Sequence, residues 1–283
     1  MTLTVALAAC AMAGSACSRT TGEPASAVPR AAQDSGYTSL ALDDTFDDLA
    51  SVDLTGTGAP GRRWFTDRPF GWGRTMPQDL TVRDSVLTIS PSTKSPNYGI
   101  ATSSPTSHEG RGFRYGYFEA RMAFDPEDWR RSTGWPAFWG LSHDQIVGVG
   151  RPRWAELDFF EAYRDPGRPY EHIFAGTVHD WLAGPPETDR ANHGNSSAPL
   201  AGVDLTQMHT YACLWQPGRI TWIFDGRELF TQTYSKDAAP SPNPRGLAPG
   251  IFSPLDTDVN GQTVILGTGV DHPLRVDWVR VWQ

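Results

Sequence analysis

From Leu42 onward, apolar and polar positions alternate in short runs, and clusters of Gly, Pro, Asn, Asp and Ser break the runs apart. This period of two predicts strands over 85–90, 114–124, 155–163, 172–181, 209–216, 220–224, 228–234 and 273–282. No stretch holds a helical apolar period for the ten or more residues a helix wants, because Gly or Pro intervenes. No internal repeat emerges either. Asp225-Gly226, between two of the runs, predicts a two-residue hairpin, since both central positions of that turn take positive φ. Many short strands and no helices over about 240 residues predict an all-β fold built as one β-sandwich.

The N-terminal part has a different pattern. Residues 3–14 form an apolar run that ends in small residues before the first charge, Arg19. The run is too short to span a bilayer and has the form of an export leader. Cys10 follows Leu7-Ala8-Ala9 and Cys17 follows Gly14-Ser15-Ala16, and both settings resemble a bacterial lipoprotein cleavage site. Cys17 leaves the longer apolar run. Residues 1–17 are therefore expected to be a leader of signal or lipoprotein type. The destination is extracellular, or the bacterial cell surface if Cys17 is lipidated. Residues 18–40 are mostly Ser, Thr, Ala, Pro and Gly, too poor in large apolar groups to offset ordering entropy, and are expected to be a disordered tether. Residues 41–283 form the folded domain. Once the leader is removed only Cys213 remains, so no intrachain disulfide is available.

Charge narrows the partners. Lys plus Arg number 24 against 32 Asp plus Glu, a net charge of -8, which argues against a nucleic-acid groove. Only Lys94 and Lys236 are lysines, and the arginines are scattered rather than gathered into a polybasic membrane tract. No partner chain is implied, and a monomer is the expectation.

The chemistry concentrates in Trp154-Ala155-Glu156-Leu157-Asp158-Phe159-Phe160-Glu161. On a helix the first and third acids would point about 140° apart, so no face collects them. On a strand, Trp154, Glu156 and Asp158 share one face, and one extra residue near Phe159 or Phe160, a β-bulge, returns Glu161 to it. Glu156 and Glu161 would then lie roughly 13 Å apart at Cα, and side chains leaning inward would bring the carboxyls to about 5 Å, the separation of a retaining glycosidase. Acids on a strand are more often a solvated face. Here Leu157, Phe159 and Phe160 mark a core strand, on which three crowded acids would repel without a purpose. A metal site made from the acids and His179 is the other alternative, since carboxylates and an imidazole could hold calcium or zinc, but no second ligand cluster supports it.

The ordered series Phe113-Arg114-Tyr115-Gly116-Tyr117-Phe118-Glu119-Ala120-Arg121, Gly134-Trp135-Pro136-Ala137-Phe138-Trp139, the acidic strand, Thr177-Val178-His179, His209-Thr210-Tyr211-Ala212 with Trp215, Asp225-Gly226, and Val276-Asp277-Trp278-Val279-Arg280-Val281-Trp282 resembles glycoside hydrolase family 16. The likeness is to the laminarinase-like branch with the bulged E-x-D-x-x-E motif, and it runs from about Leu42 to Gln283. It implies a jelly-roll of two curved antiparallel sheets with a concave substrate cleft, and retaining endo-cleavage of β-linked glucans or galactans. It further implies Glu156 as nucleophile, Glu161 as general acid and base, and Asp158 as the residue that orients the nucleophile and helps manage its proton. Independently of family, three neighbouring carboxyls cannot all ionise cheaply, so one is expected to keep a proton near neutral pH.

Sugar rings stack on flat side chains, so the cleft should hold aromatics. Trp154 is the first candidate by parity and Trp135 the next. His179 and Trp181 share a face of their strand and complete the candidate substrate-binding set. His209 shares parity with Tyr211, Cys213 and Trp215, which favours a structural role. Glu119 and Arg121 share a face and are expected to pair or to line the cleft. The chain departs from its relatives at Thr263-Val264-Ile265-Leu266-Gly267-Thr268-Gly269, where many carry Asn-Leu-Ala-Val-Gly-Gly, and the polar loop 182–205 is long enough to shape a binding site. No cofactor is required. Family members often bind a structural calcium, for which Asp277 is the candidate, although Thr45 stands where an acid is common. The expected substrate is a β-1,3- or mixed-linked β-glucan. The alternatives are an acidic exopolysaccharide or galactan, or a noncatalytic carbohydrate-binding sandwich, to which three adjacent carboxylates would bring nothing against a neutral sugar.

Overall fold

The computed structural model describes residues 27–67, 74–92, 98–130, 132, 134–150, 153–162, 173–182, 188–189, 196–235, 251–252, 255 and 260–283. Two sheets face each other, as the alternation requires. The outer sheet runs in the order Ile251–Phe252, Arg227–Ser235, Arg219–Phe224, His209–Gln216, Gly116–Ala123, Leu274–Trp282, Val86–Ile89 and Leu80–Arg83, with Leu40–Asp44 also on the last long strand. The inner sheet runs Thr188–Asp189, Val178–Leu182, Arg153–Glu161, Ala137–Ser142, Gln262–Thr268, Tyr98–Ala101, Trp64–Phe65 and Val52–Asp53. The long neighbouring strands pair antiparallel. This is the jelly-roll sandwich that the resemblance implied.

Alternate residues of both sheets meet between them. Phe118, Tyr211, Trp215 and Trp222 project from the outer sheet, and Phe138, Leu157, Phe159, Phe160 and Val264 from the inner one, all buried in one cluster. Phe118 stacks on Phe159 with ring centroids 4.5 Å apart, and Phe160 meets Tyr211 at 4.2 Å. Cys213 is a free thiol inside this layer. A second apolar cluster, Ala101, Ala137, Trp139, Leu141, Ile146, Trp154 and Ile265, covers the other face of the inner sheet. These residues alternate in sequence with the core-facing ones, so they lie beneath the concave side.

Most predicted strands are present with small changes of boundary. Asp225 and Gly226 have φ of 46° and 73°, and Phe224 pairs with Arg227 across them, so the hairpin turn is formed. Segment 172–181 is two strands instead of one. Ile173–Gly176 and Val178–Leu182 are separated at Thr177, whose carbonyl accepts from the Asp158 amide at 2.8 Å where the neighbouring strand is irregular. Two short helices, Arg30–Asp34 and His143–Ile146, also correct the helix-free expectation.

The first of these helices changes the picture of the tether. Within its described part, Ala32 is fully buried, and Val28, Ala31 and Tyr37 pack on Tyr117, Ala212, Leu214, Ile223 and Trp282 of the outer sheet. Ser39 and Gln283 exchange backbone hydrogen bonds of 2.9 and 2.8 Å. The composition of the segment concealed this, because the apolar surface that holds it comes from strands far along the chain. Cys10, Cys17, the leader and residues 18–26 lie outside the described residues, as does much of loop 182–205.

The outward side of Gly116–Ala123 also differs from expectation. Arg121 is ion-paired with Asp277, while the Tyr117 hydroxyl donates to Glu119 Oε1 at 3.4 Å. The Glu119–Arg121 pair does not form, and neither residue lines the cleft, because residues of their parity face away from the core on the outer sheet. His209 is structural: its ring stacks on Phe224, and Nδ1 lies 2.7 Å from Asp225 Oδ2.

Candidate active site

The site begins with a defect in pairing. Asp158 lies opposite Trp139 and Phe160 opposite Phe138, so Phe159 is an extra residue in its strand. A bulge of this kind turns two consecutive side chains to one face. Phe159 and Phe160 both enter the core with no exposure, and the alternation beyond them resumes shifted by one. Glu161 is thereby carried to the face that holds Glu156 and Asp158. The bulge is held from across the core, where Trp222 Nε1 donates to the Asp158 carbonyl at 2.7 Å. Gly176 makes room for that indole, since a Cβ there would stand 2.1 Å from Trp222 Nε1. Sequence reasoning missed Trp222: it lies in an ordinary alternating strand, and nothing local marks a tryptophan that reaches the opposite sheet.

Each acid meets a different nitrogen. Trp181 Nε1 donates to Glu156 Oε2 at 2.9 Å, and Trp135 Nε1 donates to Glu161 Oε1 at 2.8 Å. His179 Nε2 lies 3.1 Å from Asp158 Oδ2 and 3.8 Å from Glu156 Oε1. Its ring stacks with Trp181, centroids 5.8 Å apart and planes 23° from parallel. Glu156 pairs across the strands with His179, which explains the reach of both side chains on Val178–Leu182. Trp135, Trp181 and His179 are therefore brought to the acids, and Trp135 and Trp181 stay partly open to solvent.

Trp154 is a correction to the substrate-binding set. It shares the predicted face, yet only 3% of it is exposed, and it packs with Trp139, Leu141 and Ile146. Parity fixes the face of a strand residue and not its depth. Here Ile146, in the short helix that follows Ala137–Ser142, joins the cluster that covers the indole. Trp154 forms the floor of the site and offers no free ring face to a sugar.

Of the three acids, Asp158 is the most buried. Its side chain is 2% exposed against 13% for Glu156. Burial pushes its carboxyl well above the usual carboxylate range, the charges of Glu161 and Glu156 push it further, and the bond to His179 offsets part of the rise. Of the causes that favour a protonated carboxyl, burial comes first at Asp158, ahead of the charges of its two neighbours. Glu156, Asp158 and His179 each bring a ligand atom within 4.8 Å of the others. At the Asp277 position the partner is the Arg121 guanidinium, a poor neighbour for a calcium ion.

Two carboxyls on either side of a buried third, with indole rings beside them on the concave face of a sandwich, form a site of glycosidase type. The model of the family described as glycosyl hydrolases family 16 matches residues 74–262, and the chain belongs to that family. Over 160 residues it is 26% identical to glucan endo-1,3-beta-glucosidase A1 of Niallia circulans, a match covering 53% of this chain and 22% of that one, so it spans about a fifth of the relative. The fold is similar to the catalytic domain of an endo-1,3-beta-glucanase (laminarinase) from Thermotoga petrophila, with TM-score 0.53, 17% identity, and 87% and 97% of the two chains covered. It is also similar to a beta-porphyranase from the human gut bacterium Bacteroides plebeius, with TM-score 0.50, 17% identity, and 85% and 89% covered.

Proposed function

We propose that the protein is an endo-acting β-glucanase that hydrolyses β-1,3- or mixed-linked β-glucan with retention of configuration. The observation that carries the reading is the bulge at Phe159, which sets Glu156 and Glu161 on one face with Asp158 between them. Glu161 gives its proton to the glycosidic oxygen while Glu156 attacks the anomeric carbon and forms a covalent glycosyl-enzyme. Water then displaces Glu156, and Glu161 takes the water proton. Burial and its two acidic neighbours push the Asp158 carboxyl toward its neutral form, which favours a charge on Glu156 over a second ionised carboxylate beside it. Export through the leader, with attachment at Cys17 as one form of it, fits a polymer substrate that cannot enter a cell.

A galactan is the second reading, favoured by the porphyranase likeness and by the altered 263–269 segment. Reducing-end release from laminarin, lichenan, agarose and succinoglycan separates the two, with laminarin or lichenan expected to be cleaved. NMR of the first product should show the β-anomer, and an α-anomer would refute retention.

A further inference from the structure

A second polar cluster stands on the concave face, away from the acids. Thr263 alternates with Val264 and shares the parity of Ile265, and Ser103 shares that of Ala101, so both hydroxyls lie on the side of the inner sheet that Ile265 and Ala101 cover. His143 reaches them from the end of Ala137–Ser142. Its Nδ1 lies 2.9 Å from Ser103 Oγ and 3.2 Å from Thr263 Oγ1, and the two hydroxyl oxygens are 2.9 Å apart. Ser103 and Thr263 have no exposure, whereas His143 stays partly open to solvent. Gly112 makes the room, since a Cβ there would stand 2.6 Å from His143 Cβ, and the His143 amide donates to the Gly261 carbonyl at 2.9 Å. Thr263 also opens the segment 263–269 in which the chain departs from its relatives.

Counting hydrogens fixes the state of the ring. Each hydroxyl has one hydrogen to donate, and a neutral imidazole has one nitrogen that donates and one that accepts. Both oxygens are shut off from solvent, so their hydrogens must be placed inside the triangle. If Nδ1 is bare, one hydroxyl donates to the other and the second donates to Nδ1. If Nδ1 carries a proton it can no longer accept, the two oxygens have room for one hydrogen between them, and a buried hydroxyl hydrogen is left unsatisfied. The ring proton therefore sits on Nε2, and a second proton on the ring would break the same count. We propose that His143 is a substrate-binding residue, a neutral Nε2–H donor preset by Ser103 and Thr263, which takes an oxygen of an uncharged sugar beside the one being cleaved. Leu141 pairs with Glu156 on one side and Thr263 on the other, and His143 follows it by one pleat repeat, roughly 8 Å from Glu156 at Cα. Its ring leans away from Glu156 toward Thr263, so it serves a sugar next to the reacting one. Burial lowers the imidazole below its ordinary range, and the charge of Asp144 on the same short helix, whose carboxylate accepts from Asn260, offsets part of this. The neighbouring strands present Leu141, Ser103 and Thr263, which carry no charge. A neutral donor gives an ionised substituent nothing to pair with. The inference rests on the polysaccharide-hydrolase reading above and adds that this site selects a neutral glucan over an acidic exopolysaccharide.

Asparagine copies the Nδ1 side of the ring and can accept from the hydroxyls but ends short of Nε2, whereas glutamine reaches that position with an amide N–H. Full-chain His143→Asn should raise KM for laminarin roughly three- to tenfold with kcat nearly constant, the range for one hydrogen bond between neutral groups, and His143→Gln should recover most of it. A wild-type KM in His143→Asn, or a fall in kcat alone shared by both variants, overturns the proposal. In the resting wild-type protein with 15N-labelled histidine, the His143 ring should show the Nε2–H tautomer and remain neutral at about pH 6, where an ordinary histidine is mostly charged. An Nδ1–H tautomer or an imidazolium at that pH overturns it even if a variant fails to fold. Cleavage of agarose in place of laminarin and lichenan refutes the glucan reading alone, and since agarose is also uncharged, a raised KM for it in His143→Asn supports the inference. A preference for succinoglycan, the charged polymer of the panel, overturns the inference.

Discussion

Asp158 and Glu119 are both buried carboxyls on long strands, one beneath the concave face of the inner sheet and the other on the outward face of the outer sheet. Burial is the largest cause of the upward displacement of each. Their neighbours differ. Glu119 has the Arg280 charge and a tyrosine hydroxyl, both of which favour its ionised form. Asp158 has an acid on either side, both of which oppose ionisation, and an imidazole that partly offsets them. A carboxyl displaced by burial alone is a cost to the fold. One displaced by other acids that flank it, next to a partly open cleft, belongs to a site in which protons are exchanged.

The sharpest way to break this distinction is to remove the outer acids. Glu156→Ala should reduce turnover by at least about 10⁴-fold and recover with azide to give the α-azide, whereas Glu161→Ala should still cleave activated aryl glycosides and give the β-azide. Full activity in Glu156→Ala would take the bulged strand out of catalysis. The next effect falls on stability. Trp154→Ala opens a cavity under the site and should cost about 3–5 kcal/mol in urea unfolding, as large buried aromatic deletions do. A normal unfolding midpoint with a raised KM would return Trp154 to the role of an exposed platform.

Asp158→Asn tests the middle position directly. Asparagine copies a neutral carboxyl in shape but holds no transferable proton, so the fold should survive and kcat should fall about 10²-fold, the scale of a lost proton-transfer partner. Wild-type kcat would mean that neutrality at this position suffices.

The parts of the molecule legible in the sequence were those governed by local period. The alternation over 209–216 matches the strand His209–Gln216, and Asp225-Gly226 could be placed because positive φ is a property of two adjacent residues. The bulge was legible because Leu157, Phe159 and Phe160 could not all be buried beside three co-facial acids without it. What the sequence concealed involves depth and distant partners. Trp154 has the right parity but lies under Ile146, Trp222 crosses the sandwich to hold the bulge, and Val28, Ala31 and Tyr37 find their apolar surface on strands far along the chain. Arg121 turns to Asp277 rather than Glu119 for the same reason, since cross-strand register decides which charges meet.

The smallest expected effect is on the outer face. Burial pushes the Glu119 carboxyl up to about 7 from an ordinary 4.5. The folded chain therefore binds this proton more tightly than the unfolded chain. Its contribution to stability is full below about pH 4.5 and is lost as pH rises through about 7, a decline of at most about 3–4 kcal/mol. Glu119→Gln has no proton to lose, and glutamine keeps an oxygen that can accept from Tyr117. The variant should match the wild type most closely in urea at about pH 4 and exceed it at pH 8, with the gap opening between about pH 4.5 and 7. Catalytic pH limbs should be the same in both proteins, because Glu119 and the cleft acids lie on different sheets. Parallel midpoint curves for the two proteins would show that Arg280 and Tyr117 already compensate the burial of Glu119, and the contrast with Asp158 would then rest on the flanking acids alone.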